Sequence, residues 1–203
     1  MTLNVRIPID DAVKLLETME FSDVMKIIDL FGFGGILTRL TKIQSRTEVD
    51  AVALSRCIHA SLTHIILPHC KSLTDDILAL CPSLISLTVA AGSHLTAEAF
   101  RPLTRLTELQ ILSRNSEEPD TLLNNETIAH MPQLEMLHVR NSTICDEHLR
   151  HLPNLKVLVL YGNDMVTPDI LNHLPKLEIC VLNRRLYKYL PSEKNKAIMI
   201  RWA

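Results

Sequence analysis

Glycine is scarce, with five residues in 203, aromatics make up only 4%, and there is one tryptophan. With so few aromatic rings, an apolar interior has to come from Leu, Ile and Val, which favours a regular, layered core. The five cysteines are odd in number and contain no CxxC pair, which argues against a disulfide framework or a structural zinc site and for a reducing compartment. No apolar run approaches the roughly 18 residues of a membrane span. The start, MTLNVRIPIDDAVKLLE, lacks the basic flank and apolar stretch of a secretory leader and is too acidic for a transit peptide. The expectation is an intracellular protein, cytoplasmic or nuclear. Net charge is only −2, so the whole chain is no polyelectrolyte, but residues 183–203 carry six Lys or Arg against one Glu.

Leucine is what the sequence has in abundance, and it is periodic. LTHIIL (62–67) has apolar residues at its first, fourth and sixth places. The same spacing returns in LISLTV (84–89), LTELQI (106–111), LEMLHV (134–139), LKVLVL (155–160) and LEICVL (177–182). Between these lie LTDDILALCP (73–82), LTAEAFRPLT (95–104), LNNETIAHMP (123–132), ICDEHLRHLP (144–153) and VTPDILNHLP (166–175). Their second column is Thr74, Thr96, Asn124, Cys145 and Thr167, four of them good helix N-caps. Their fourth column, Asp76, Glu98, Glu126, Glu147 and Asp169, is always acidic, which suits the positive end of a helix. Pro168 takes a first-turn place where its missing N–H costs nothing. Each unit therefore reads as strand, turn, capped helix and return, unable to bury its apolar face except by stacking on its neighbours.

This pattern resembles the leucine-rich repeat family, and within it the cysteine-containing subtype. Leu62, Ile65, Leu67, Cys70, Leu73, Thr74, Asp75, Leu78, Cys81, Pro82 and Leu84 follow that subtype closely. Later units depart at the Cys70 column, with Gly92, Arg114, Ser142 and Asn163. The resemblance implies an α/β solenoid, a horseshoe with a parallel concave sheet. The expected organisation is N-terminal helices over 1–59, repeats over 60–183 and a basic C-terminal cap over 184–203. Cys70 and Cys81 then read as small interior hydrophobes, and Asp75 and Asp76 as helix-start residues. The third unit is some six residues longer, and SRNSEEPDTLLNN (113–125) reads as a protruding loop.

The first 60 residues are less regular. Asp10 or Asp11 reads as the cap of one helix and Ser22 as the cap of a second, with FGFGG (31–35) stopping it. Neither GxGxxG nor a following Lys-Ser/Thr accompanies those glycines, so a phosphate loop is not supported. A helix is expected over Thr47 to His59, and Leu40, Ile43 and Ala51 allow a degenerate unit to start near residue 40. Ile7-Pro8, Asp10, Leu15-Leu16, Met19, Phe21, Asp23-Val24, Ile27 and Leu30 also resemble an F-box. The usual Cys-Lys-x-Trp is absent there, and two amphipathic helices would give much the same pattern. That resemblance implies a substrate adaptor of a cullin-based ubiquitin ligase, with Pro8, Leu15, Leu16 and Val24 meeting the ligase's small adaptor protein.

Nothing pairs a nucleophile with a base, so a non-enzyme without metal, cofactor or small-molecule substrate is expected. His130, His151 and His173 recur near helix C-termini, where partial protonation is favourable. As a metal ladder they lack an obvious fourth ligand. On the strands, residues between the ladder leucines point away from the core. Towards the C-terminal end these outward columns bring together Val157, Val159, Tyr161, Ile179 and Val181, edged by His138 and Arg140. Such a patch is covered by a protein partner or by the chain's own tail. The tail interleaves Arg184, Arg185 and Lys188 with aromatics. It suits nucleic acid, as in a ribonucleoprotein subunit, or a solenoid cap. The leading expectation is a protein-interaction scaffold or complex subunit binding by its concave face.

Overall fold

The computed structural model describes residues 8–32, 34–91, 93–112 and 121–182. Seven strands form one sheet, in sequence order and all parallel: β1 Lys42–Gln44, β2 His64–Leu67, β3 Ser86–Ala90, β4 Glu108–Leu112, β5 Met136–Arg140, β6 Val157–Tyr161 and β7 Ile179–Val181. The register follows the repeat. Ile43, Ile65, Leu87, Leu109, Leu137, Leu158 and Cys180 stand side by side across the sheet. All but Ile43, at 3% exposed, are completely buried. Each such leucine contributes about 2 kcal/mol by leaving water.

One backbone carbonyl ahead of each strand holds consecutive units together by accepting two N–H donors from the next. Thr41 O takes Thr63 N and His64 N, and Thr63 O takes Ile85 N and Ser86 N. The series continues through Ile85, Thr107 and Glu135 to Lys156, whose oxygen accepts from Glu178 N and Ile179 N at 2.8 and 3.0 Å. The left-handed turns also stack: Asn141 (φ 51°) and Gly162 (φ 67°) follow the paired residues Arg140 and Tyr161.

The returning segments are shorter than the capped helices expected. α4 Asp75–Ala79, α5 Asn125–Ala129 and α6 Asp146–Leu149 are single turns, and 97–100 and 168–172 are 3-10 turns. A unit of about 22 residues spends most of its length on the strand and two bends, leaving room for little more than one helical turn. In the cap column, Thr96 and Asn124 accept hydrogen bonds from their own helices through side-chain oxygens, whereas Thr74 and Thr167 do not. Thr96 Oγ1 receives Glu98 N and Asn124 Oδ1 receives Thr127 N. At Cys145 the roles reverse: its N–H donates to Nδ1 of His148 at 3.0 Å. Burial keeps that imidazole's pKa below the ordinary value, with neighbouring Glu147 opposing and His151 assisting.

At the N-terminal end, α1 Ile9–Glu17 and α2 Phe21–Phe31 close the stack. Leu16, Phe21, Val24, Met25 and Ile28 join the common core. Glu17 Oε1 accepts Thr41 N and Oγ1 at 2.5 and 2.8 Å, and Gln44 Nε2 donates to Thr18 O at 2.9 Å, sealing the β1 side. Asp29 pairs with Arg56 at 2.7 Å, which holds its carboxyl below the usual range. Gly32, left-handed at φ 71°, ends α2, and its N–H reaches Ile28 O. The expected caps are displaced: Pro8 and Glu20 occupy the N-cap positions, and Asp10, Asp11 and Ser22 fall inside the helices. The helix expected over 47–59 is only α3 Ala51–Ser55. Asp50 caps it through Val52 N and Ala53 N, and Ser45 and Thr47 fold into a hydrogen-bonded turn before it. β1, twenty-two residues before β2 in register, makes the degenerate unit near residue 40 a full member of the sheet. The fold is an α/β leucine-rich repeat solenoid.

Candidate concave interface

Seven strands at about 4.8 Å spacing expose a face on the order of 29 Å wide. Its two halves differ. In β3, Ser86, Thr88 and Ala90 are 6%, 4% and 5% exposed: Ser86 sits between His64 and Glu108, Thr88 between Ile66 and Gln110, and Ala90 beside Leu112. From β5 onward the face becomes apolar. Met136, Val157 and Ile179 form one row, and His138, Val159 and Val181 the next. Val157, Val159, Tyr161 and Ile179 are half-buried. Val181 is only 8% exposed and contributes least to an open surface.

Tyr161 is braced on the β5 side. The His138 ring meets it edge-on at 5.7 Å and 61°, and Arg140 Cζ stands 5.3 Å from its ring centroid. Such a cation over a tyrosine face contributes about 0.5–1 kcal/mol at an exposed site. Among the described residues no carboxylate pairs with Arg140, although Arg39, Arg46, Arg56, Arg101 and Arg150 each have one. His138 Nε2 is buried and makes no hydrogen bond among the described residues. Burial, with help from the Arg140 charge, lowers its pKa and favours the neutral ring. Under the patch, Asn163 (1% exposed) accepts from Ser142 N and Oγ at 2.9 and 2.7 Å. It donates to Tyr161 O at 3.0 Å and Val139 O at 3.3 Å. Asn163 thus fixes the chain on which Tyr161 stands, a role its place in the Cys70 column hid.

Of the four residues expected to meet a ligase adaptor, Leu16 and Val24 are packed into the core at 7% and 4% exposure. The helices turn that side towards β1 to close the solenoid. Pro8 and Leu15 remain exposed. Arg184, Arg185 and Lys188 lie outside the described residues. Cys70 and Cys81 are fully buried, and burial pushes the Cys81 thiol up to about 11. Asp75 binds the neighbouring unit: its oxygens accept Thr96 N at 2.9 Å and Thr96 Oγ1 at 2.6 Å. Asp146 repeats this clasp on Thr167 N and Oγ1. His130 and His173 stand at helix C-caps, and His173 Nε2 lies 3.6 Å from Asp169. Among the described residues no group of three His, Cys, Asp or Glu is placed to hold a metal ion, and no helix is long and apolar enough to cross a membrane.

No family model matches the chain, and no curated protein matches it. Solved structures similar to it include two internalins and TLR13. An internalin, inlF, from Listeria monocytogenes strain 4b F2365 is 18% identical with a TM-score of 0.47, over 73% of this chain and 50% of that one. Internalin C2, inlC2, of the same strain is 18% identical with a TM-score of 0.48, over 72% and 73%. TLR13, in its complex with ssRNA13, is 14% identical with a TM-score of 0.43, over 84% and 33%. The matched region thus spans half of the inlF chain and a third of the TLR13 chain.

Proposed function

We propose that this protein is a non-catalytic recognition scaffold that binds a protein partner on the C-terminal half of its concave face. The observation that carries this reading is the apolar set Val157, Val159 and Ile179 in register beside Tyr161, bordered by an Arg140 guanidinium with no carboxylate among the described residues. Burying such a patch stabilises a complex by about 25 cal/mol per Å² of apolar area before the costs of association. The guanidinium supplies orientation and discrimination. The chemistry that fits is a segment with bulky apolar side chains next to an Asp or Glu. The ligase-adaptor alternative keeps only Pro8 and Leu15 of its contact set.

Panning a displayed peptide library on the full chain tests this. Segments with an apolar pair beside an acid should be enriched, and Arg140→Glu should weaken their binding about 10-fold. The double change Val159→Asp and Tyr161→Asp should abolish it, with circular dichroism unchanged. Selection of peptides without an acid, or equal binding by both variants, refutes the assignment.

A further inference from the structure

At the opposite end of the stack from the valine patch, α2 and the turn leading into α3 leave a cavity of about 130 Å³. That is well under the roughly 300–1,000 Å³ of a pocket for a drug-sized molecule, and it suits a single side chain. Phe21, Met25 and Val49, at 4%, 7% and 4% exposure, and Ala53 supply apolar wall. The exposed carboxylates of Glu48 and Asp50 supply its charge. Each of them has one oxygen tied to the backbone. Glu48 Oε1 accepts Lys71 N at 2.9 Å, and Asp50 Oδ2 accepts Val52 N and Ala53 N at 3.1 and 3.2 Å. Among the described residues the second oxygens, Glu48 Oε2 and Asp50 Oδ1, accept no hydrogen bond, and neither residue forms an ion pair. The basic side chains of α2, of the turn and next to α3 are engaged elsewhere: Lys26 with Asp23, Arg46 with Glu20 and Arg56 with Asp29.

We propose that this cavity is a docking site for one lysine side chain of a protein partner. A lysine stem is apolar enough to lie along Phe21, Met25, Val49 and Ala53, and it carries a compact ammonium to the two carboxylates. The aromatic ring in the wall favours a cation over a neutral head. Arginine fits less well. Its planar fork is matched by both oxygens of one carboxylate, and here the backbone already holds one oxygen of each. Two single oxygens on separate side chains suit the rotatable donors of an ammonium. The same backbone bonds hold the carboxylates in place before a partner arrives, which lowers the cost of binding. The site shares no residue with the concave patch and does not depend on it.

Titrating the full chain with Nα-acetyl-lysine methylamide, followed by amide NMR, tests this. Amides of residues 21–25 and 45–53 should shift together and saturate at a Kd on the order of 1–10 mM. The norleucine analogue, which has an alkyl stem and no ammonium, and the arginine analogue should each bind at least about threefold more weakly. Glu48→Gln and Asp50→Asn keep their backbone bonds and lose the charge. Each should weaken lysine binding about threefold, and both together about tenfold. Ala53→Leu, which fills the cavity and leaves both carboxylates in place, should abolish binding with circular dichroism unchanged. Peptides selected on a chain carrying Val159→Asp and Tyr161→Asp, so that the concave patch is disabled, should be enriched in lysine. Equal binding of the three analogues, tighter binding of arginine, or unchanged binding by Ala53→Leu overturns the assignment. Spermidine binding more tightly than lysine peptides would also overturn it and give the cavity to a free polyamine.

Discussion

A single buried amide, Asn163, ties two adjacent coils together by saturating all its capacity: two bonds from Ser142 arrive at Oδ1, and Nδ2 reaches two backbone carbonyls. Removing it leaves donors and acceptors without partners in a site 1% exposed, and each such orphan costs roughly 1–3 kcal/mol. Asn163→Ala should therefore destabilise the fold by about 3 kcal/mol, read as a lower urea midpoint. A loss below about 0.5 kcal/mol would mean that water replaces the amide freely. Because Nδ2 holds the Tyr161 carbonyl, the same variant should also broaden the NMR signals of the Tyr161 ring. From composition Asn163 looked like a mere departure from the cysteine column. Its signal was positional: a polar residue at a place where every apolar neighbour in the ladder is buried must carry its own hydrogen-bond partners.

Between elements, the clasps Asp75 to Thr96 and Asp146 to Thr167 fasten one unit's returning turn to the next. Each carboxylate accepts a backbone N–H and a hydroxyl, and partial exposure limits each to about 1 kcal/mol. Asp75→Ala and Asp146→Ala should each cost about that much. Together they should cost about twice as much, because the sites share no partner and lie several strands apart. Marked non-additivity in thermal or urea denaturation would show that the units are coupled more stiffly than their contacts suggest. The strands and their register were legible because leucines at a fixed period leave only one stacking. The turns were less so. A first-turn acid was assigned to its own helix dipole, whereas helices of four or five residues have little dipole to offer and the third-column acids bond across the repeat. The boundaries at Glu20 and Asp50 moved because local hydrogen bonds, from Arg46 N–H to Glu20 and within the Ser45–Thr47 turn, decided them. The apolar concave patch followed from strand alternation. The bracing of Tyr161 did not, since it depends on which neighbours fall opposite each other across β5 and β6.

The molecule as a whole is a line of coils touching only their neighbours, with α1 and α2 sealing one end. The strand-to-strand intervals, read from the paired residues Lys42, His64, Ser86, Glu108, Met136, Val157 and Ile179, are equal to within one residue except between β4 and β5, where the chain takes six more than its 22-residue norm. That irregularity would be visible to a mechanical probe. Held by its termini in an optical trap, the protein should unreel turn by turn, each release paying out about 75 Å of contour, with one step of about 95 Å marking the β4–β5 interval. The odd step would act as a built-in ruler mark, telling from which extremity the unwinding began.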